Sequence, residues 1–144
     1  MTAVAINGYD FVDAGSNVLE RENNFGILRR DLTPKPAYRV LATLCNFFAA
    51  GTPALEKRPL GDGCTVWIFR MGGRSAVWSD RPAELTVTCD GPATARNPVD
   101  EVLSSGTPVH ALRTDGLRAV FLDRDVRTVE GRPAPAAATS VVTF

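Results

Sequence analysis

Three pieces of the N-terminal third decide how this chain is read. They are Tyr9-Asp10-Phe11-Val12-Asp13-Ala14-Gly15, Glu22-Asn23-Asn24-Phe25-Gly26-Ile27-Leu28, and Thr33-Pro34-Lys35-Pro36-Ala37-Tyr38. Just before the first, Ala3-Val4-Ala5-Ile6 is apolar on both faces, the pattern of a buried parallel strand. Residues 9–24 are polar with turn chemistry at Gly15, Ser16 and Asn17, so a long loop follows that strand. Ala37, Val40, Leu41, Leu44, Phe47 and Phe48 then recur at helical spacing. Pro36 sits where a first helical turn tolerates a missing N–H, and Gly51 and Pro53 end the pattern. Residues 1–50 therefore predict one strand–loop–helix unit.

Beyond Gly51 the period changes. Thr65-Val66-Trp67-Ile68-Phe69 is a strand by composition, Met71-Gly72-Gly73-Arg74 a hairpin turn, and Ser75-Ala76-Val77-Trp78 the returning strand. Residues 83–89 alternate Leu85, Val87 and Cys89 with Glu84, Thr86 and Thr88, and Asp90-Gly91-Pro92 reads as a turn. Weaker strands are predicted at residues 94–97, 108–112, 117–122 and 127–129. Short strands with Gly/Pro turns at this spacing predict a small antiparallel β-sandwich. The Ala/Pro-rich tail, residues 133–144, is expected to be flexible, with 141–144 fraying or adding an edge strand. The fold expected is mainly β with one α-helix.

Composition narrows the function classes. Sixteen basic and sixteen acidic residues cancel, and nothing steers the chain to nucleic acid or an anionic membrane. Lys35 and Lys57 are the only lysines, and the scattered arginines read as compositional bias. Residues 1–6 lack the basic, apolar form of a signal peptide, and no run approaches the length of a membrane span, so these 144 residues are expected to carry no address of their own. Three widely spaced cysteines, Cys45, Cys64 and Cys89, without a CxxC predict buried thiols, with a Cys64–Cys89 bridge the alternative in an exported protein. No metal or cofactor motif occurs, and none is expected.

The three opening pieces, in that order and followed by a β-domain, resemble the last strand, loop and helix of a (β/α)₈-barrel glycoside hydrolase. Residues 3–50 are similar to the C-terminal part of clan A enzymes, retaining β-xylosidases, cellulases and related glucanases. Residues 55–131 resemble, more loosely, the β-sandwich that follows the barrel in several such families. The fold implied is the final β/α unit of the barrel (residues 1–52) followed by an accessory sandwich (residues 53–132). A whole barrel needs roughly 250 residues, more than the 144 present. Retaining glycosidases use two carboxylates about 5–5.5 Å apart. The resemblance puts both on earlier barrel strands, so neither maps here and this chain is expected to be inactive alone. Its expected partners are carbohydrate, reached through the parent barrel, and the rest of that barrel. Self-association of the isolated piece is a further expectation, since a lone β/α unit leaves apolar faces uncovered.

Within the intact parent the resemblance places the loop carboxylates beside the active site, with Asp13 and Glu22 as sugar contacts ahead of Asp10 and Glu20. Turn formation explains the same residues. Tyr9 either stacks on a sugar ring or packs on its neighbours. Trp67, Phe69 and Trp78 are read as core, because Val66 and Ile68 fill the opposite face of their strand; an exposed sugar platform is the alternative. His110, the only histidine, is read as a partly exposed strand residue. Thr33-Pro34-Lys35-Pro36 is read as structural, fixing the backbone before the helix.

Overall fold

A computed structural model describes residues 11–15, 17–49 and 51–135. The expected strand at residues 3–6, Tyr9, Asp10 and the tail from residue 136 lie outside the described residues. After a 3₁₀ turn at Arg21–Asn24 come helix α1 (Pro36–Phe48) and strands β1 (Ala54–Gly61), β2 (Cys64–Met71), β3 (Arg74–Ser79), β4 (Pro82–Arg96), β5 (Val102–Asp115), β6 (Val120–Leu122) and β7 (Val126–Pro133). The chain is mainly β with one helix, and its sheet is antiparallel throughout, in the order β1-β2-β3-β6-β4-β5 with β7 also paired to β4. Among the described residues no helix is long and apolar enough to cross a membrane.

The β2–β3 hairpin forms as its sequence predicts. Gly72 and Gly73 have φ of 57° and 77°, the double left-handed turn that matches strand twist, and Met71 pairs with Arg74 across it. The Asp90-Gly91-Pro92 turn does not form. Instead β4 runs straight through it as one fifteen-residue strand. Thr88 pairs with Val109 and Ala93 with Thr107, so a five-residue step on β4 faces a two-residue step on β5. The surplus residues form a bulge, where Pro92 needs no ladder N–H. The bulge turns β4 from pairing with β7 at residues 83–89 to pairing with β6 at Ala95 and Arg96.

That bend folds the sheet over. β1 and β2 contact β7, and β3 contacts β5, without being paired to them. Between the layers lie Val66, Ile68, Val77, Leu85, Val87, Leu112, Val120, Leu122, Val126 and Val129, with Cys64 and Cys89. Three hydroxyls share this interior, each with a partner. Ser79 Oγ and Thr114 Oγ1 bond to each other, Ser79 donates to the Arg81 carbonyl, and Ser75 Oγ accepts the Val126 N–H at 2.9 Å. Buried hydroxyls so satisfied avoid the cost of an orphaned group and cross-link the layers.

One strand was not foreseen, and three further expectations are corrected. Residues 54–61, which carry Pro59 and Gly61 and show no strand periodicity, form edge strand β1. The strand expected at 108–112 extends from Val102 to Asp115, its ends masked in sequence by Gly106 and Pro108, while β6 shrinks to Val120–Leu122. His110 is fully buried, because it sits opposite Val87 on the interior face; its Nδ1 pairs with Ser104 Oγ at 2.9 Å. Cys45, read as a buried thiol, is exposed on α1, whereas Cys64 and Cys89 are free buried thiols as read.

At the open edge the interior face of β1 and β2 is charged. Glu56 is held by Arg58 (2.8 Å) and Arg70 (2.9 Å), and those guanidiniums reach across to the Val129 and Val126 carbonyls of β7. The network ties β7 to β1 and β2 alongside the core that Val126 and Val129 share with Val66, Ile68 and Leu60. Hydrogen bonds from Arg58 and then Arg70 pull the Glu56 pKa below its ordinary range.

The opposite face of β2, β3 and β6 carries the helix. Phe47 of α1 is buried on Met71, Ala76, Phe69 and Phe121, with its ring 5.6 Å from that of Phe121. Trp67 and Trp78 lie on this face, half-buried and 6.0 Å apart, with the Lys57 ammonium 4.2 Å over the Trp67 ring. Val66 and Ile68 fill the core as read, whereas Trp67 and Phe69 form a second, outer layer.

Two measurements check this arrangement. A thiol reagent is expected to label Cys45 alone in the folded protein and all three cysteines after denaturation. Burial, reinforced by Asp90, Asp123 and Asp125, pushes the Cys89 thiol up to about 11. For Glu56, a folded pKa below the unfolded one stabilises the protein above the unfolded value, and that contribution disappears as pH falls through the folded value. Glu56→Gln is therefore expected to flatten the acid limb of a stability–pH curve. At neutral pH it costs up to about 1 kcal/mol, the scale of a solvent-screened pair.

Candidate functional site

The three opening pieces of sequence meet at one carboxylate. Asp13 Oδ1 accepts the Gly26 N–H at 3.0 Å and the Lys35 ammonium at 2.6 Å. Lys35 Nζ also donates to the Asn24 carbonyl at 3.1 Å, and its own N–H donates to the Ile27 carbonyl at 3.0 Å. Backbone bonds join Asp13 N to Leu28 O and Leu28 N to Phe11 O, making a short parallel bridge between Val12 and Leu28. Lys35 is at the same time the residue that precedes α1. The loop is thus tied to the helix start by one nearly buried ion pair.

Gly26 is required at this point. A Cβ there would lie 2.3 Å from Asp13 N and 2.4 Å from the Val12 carbonyl carbon, inside rigid backbone. The neighbouring turn is closed by Asp31, whose Oδ1 accepts the Thr33 hydroxyl at 2.6 Å and its N–H at 3.0 Å. Those bonds lower the Asp31 pKa.

Of the residues read as sugar contacts, Asp13 points into its own loop and holds Lys35. Glu22 has its backbone in the 3₁₀ turn, and Tyr9 falls outside the described residues. Glu20 precedes that turn. The structure therefore does not assemble these groups into one described cluster. The Thr33-Pro34-Lys35-Pro36 stretch has the structural place assigned to it.

A second feature lies in the seam between α1 and the β-domain, a cleft of about 470 Å³. Helix residues Tyr38, Arg39, Thr43 and Asn46 form one wall, and Arg74, Arg96 and Asp123 rise from the sheet opposite. Phe47 and Phe121 form the floor, and the turn carrying Asp100 and Glu101 closes one end. Arg74 donates to the Asn46 carbonyl at 3.1 Å, and Arg96 donates to the Asp100 carbonyl at 3.1 Å. Asp123 accepts the Thr94 N–H, and Glu101 the Asn97 amide. Arg39 has no hydrogen bond or ion pair among the described residues. The volume is within the range of small-ligand sites.

Sequence reasoning missed this cleft, since its arginines come from α1, β3 and β4 and look scattered along the chain. The legible signal was on the helix: Arg39, Thr43 and Asn46 follow helical spacing beside the apolar stripe. Among the described residues no cluster of His, Cys, Asp or Glu is arranged to hold a metal ion. No protein-family model matches the chain, and no curated protein is similar enough to count as a relative.

The Asp13 knot has a direct test. Gly26→Ala is expected to cost about 2 kcal/mol or more, because the new methyl meets backbone on two sides. Asp13→Asn, which keeps the shape and removes the charge, is expected to cost about 1–3 kcal/mol. Chemical denaturation of the two variants beside the parent chain checks both. An unchanged midpoint in either would show that the loop does not depend on this contact.

Proposed function

We propose that the chain is the C-terminal part of a retaining glycoside hydrolase. In this reading it supplies the loop and helix of the last barrel unit and a β-sandwich that braces them. One observation carries the proposal: Asp13, Gly26 and Lys35, each from a different piece of the quoted pattern, meet at a single point. That convergence gives a physical reason for those residue types at those spacings. The helix supports it too. Phe47 seats one side of α1 on the sheet, while Tyr38, Leu41 and Phe48 stay exposed, an apolar surface for the remaining barrel to cover.

The parent then hydrolyses O-glycosidic bonds in oligo- or polysaccharides, with both catalytic carboxylates outside these 144 residues. The partners are the carbohydrate and the rest of the barrel. A second reading, a β-domain that holds a glycan by itself, is favoured by the half-buried Trp67–Trp78 pair. Quenching of tryptophan emission by an oligosaccharide would support that reading over the bracing role.

Purified 1–144 is expected to release no product from aryl-glycosides or polysaccharides above the buffer rate. The source DNA is expected to run in frame upstream of the Met1 codon and encode barrel strands ending in two glutamates. An in-frame stop followed by a translation signal, or turnover that persists through repurification, overturns the proposal.

A further inference from the structure

We infer that the segment Val141-Val142-Thr143-Phe144 pairs as an added strand along the free edge of β5 and so closes that edge to other chains. The inference stands apart from the glycoside hydrolase reading.

An unpaired strand edge offers a row of N–H and C=O groups that another strand can join, and edges are ordinarily blunted by charge, proline, a bulge or a cover. Two edges of this sheet are blunted. β1 carries Lys57, Arg58 and Pro59, and its pairing with β2 shifts register after Pro59. On β7 the Val126 and Val129 carbonyls accept Arg70 and Arg58. β5 is different. Among the described residues it pairs with β4 alone and ends the sheet. From Asp115 opposite Pro82 to Val109 opposite Thr88 its register is unbroken, so residues 109–115 make a regular edge. That stretch holds no proline, glycine or lysine. Its two arginine and aspartate charges are engaged elsewhere, Arg113 with the Pro135 carbonyl and Asp115 with Arg118.

The path of the chain supplies the occupant. β7 ends beside the start of β4, where the Ala134 N–H donates to the Pro82 carbonyl at 2.8 Å. Arg113 of β5 stands opposite Glu84 of β4 and donates to the Pro135 carbonyl at 3.2 Å. A side chain of β5 therefore already holds the point at which the chain leaves β7. Nine residues follow, 136–144. The free side of β5 is three strand positions from β7, or about 14 Å at the spacing of paired strands. Extended, Ala136-Ala137-Ala138-Thr139-Ser140 reach about 16 Å, enough for the crossing. The four residues left are β-branched or aromatic, the composition of a strand. β5 finishes at this same end of the sheet, so a chain turning back along it runs antiparallel, like every other pair here. Tethering also holds the segment at an effective concentration in about the millimolar range, which favours it over a strand from a second copy.

The test is amide hydrogen exchange, followed by nuclear magnetic resonance, on the 1–144 chain and on a variant carrying Val142→Pro and Thr143→Pro. Adjacent strand residues aim their N–H groups to opposite sides, so the two prolines together remove whichever one faces β5. Amides of residues 109–115 that face away from β4 are expected to exchange at least about tenfold faster in the variant. Val66 and Ile68 amides in the core are expected to keep their rates, which checks that the fold is intact. In the unsubstituted chain, through-space contacts between residues 141–144 and 109–115 are expected, with protection that dilution does not change. Equal exchange in the two proteins overturns the inference, as does absence of those contacts. Protection that falls on dilution also overturns it and assigns the edge to a second copy.

Discussion

The bulge at residues 89–92 of β4 is the constraint on which the rest of the β-domain depends. Without the surplus residues β4 would pair in one register along its length, and the sheet would stay open. With them, one strand serves both layers, the apolar residues of six strands face one another, and Val77 of β3 and Val129 of β7 share one core. The bulge also brings the end of β4 beside β6, which places Arg96 and the following turn at the mouth of the seam with α1.

The edge of this arrangement is closed by charge. Glu56, Arg58 and Arg70 occupy interior-facing positions where β1 and β2 approach β7, and they satisfy β7 carbonyls. The outer face of β2, β3 and β6 carries a second apolar layer. Phe69, Met71, Ala76 and Phe121 form it, and Phe47 covers its centre. A sheet that is apolar on both sides needs a cover, and the helix supplies part of one.

Legibility followed the length over which a pattern persists. The β2–β3 hairpin was readable because its turn demands two left-handed residues and Gly72-Gly73 is a direct signature of that. The helix was readable from six apolar positions on one stripe. β1 was not, because an edge strand facing charge has no alternation of apolar and polar residues to detect. Asp90-Gly91-Pro92 has the composition of a turn and of a bulge alike, and only the partner strands decide between them. His110 was misjudged because burial of a single polar residue depends on register, which spacing does not report. The cleft was illegible for a further reason: its arginines converge from α1, β3 and β4, and no local window contains them. In the loop, the residue types at Asp13, Gly26 and Lys35 were visible, while their mutual contact was not.

Phe47 and Lys35 sit at opposite ends of α1, one seated on the sheet and the other gripping the loop. The helix is therefore a lever. Its thirteen residues make a rod about 20 Å long, so a tilt of about 5° around the Phe47 seat carries the Lys35 end about 2 Å. Lys35 holds both Asp13 and the Asn24 carbonyl, so the loop follows it. The quality of packing beneath one aromatic ring thus sets the position of a loop at the far end of the helix, and substitutions deep in the β-domain are transmitted there mechanically.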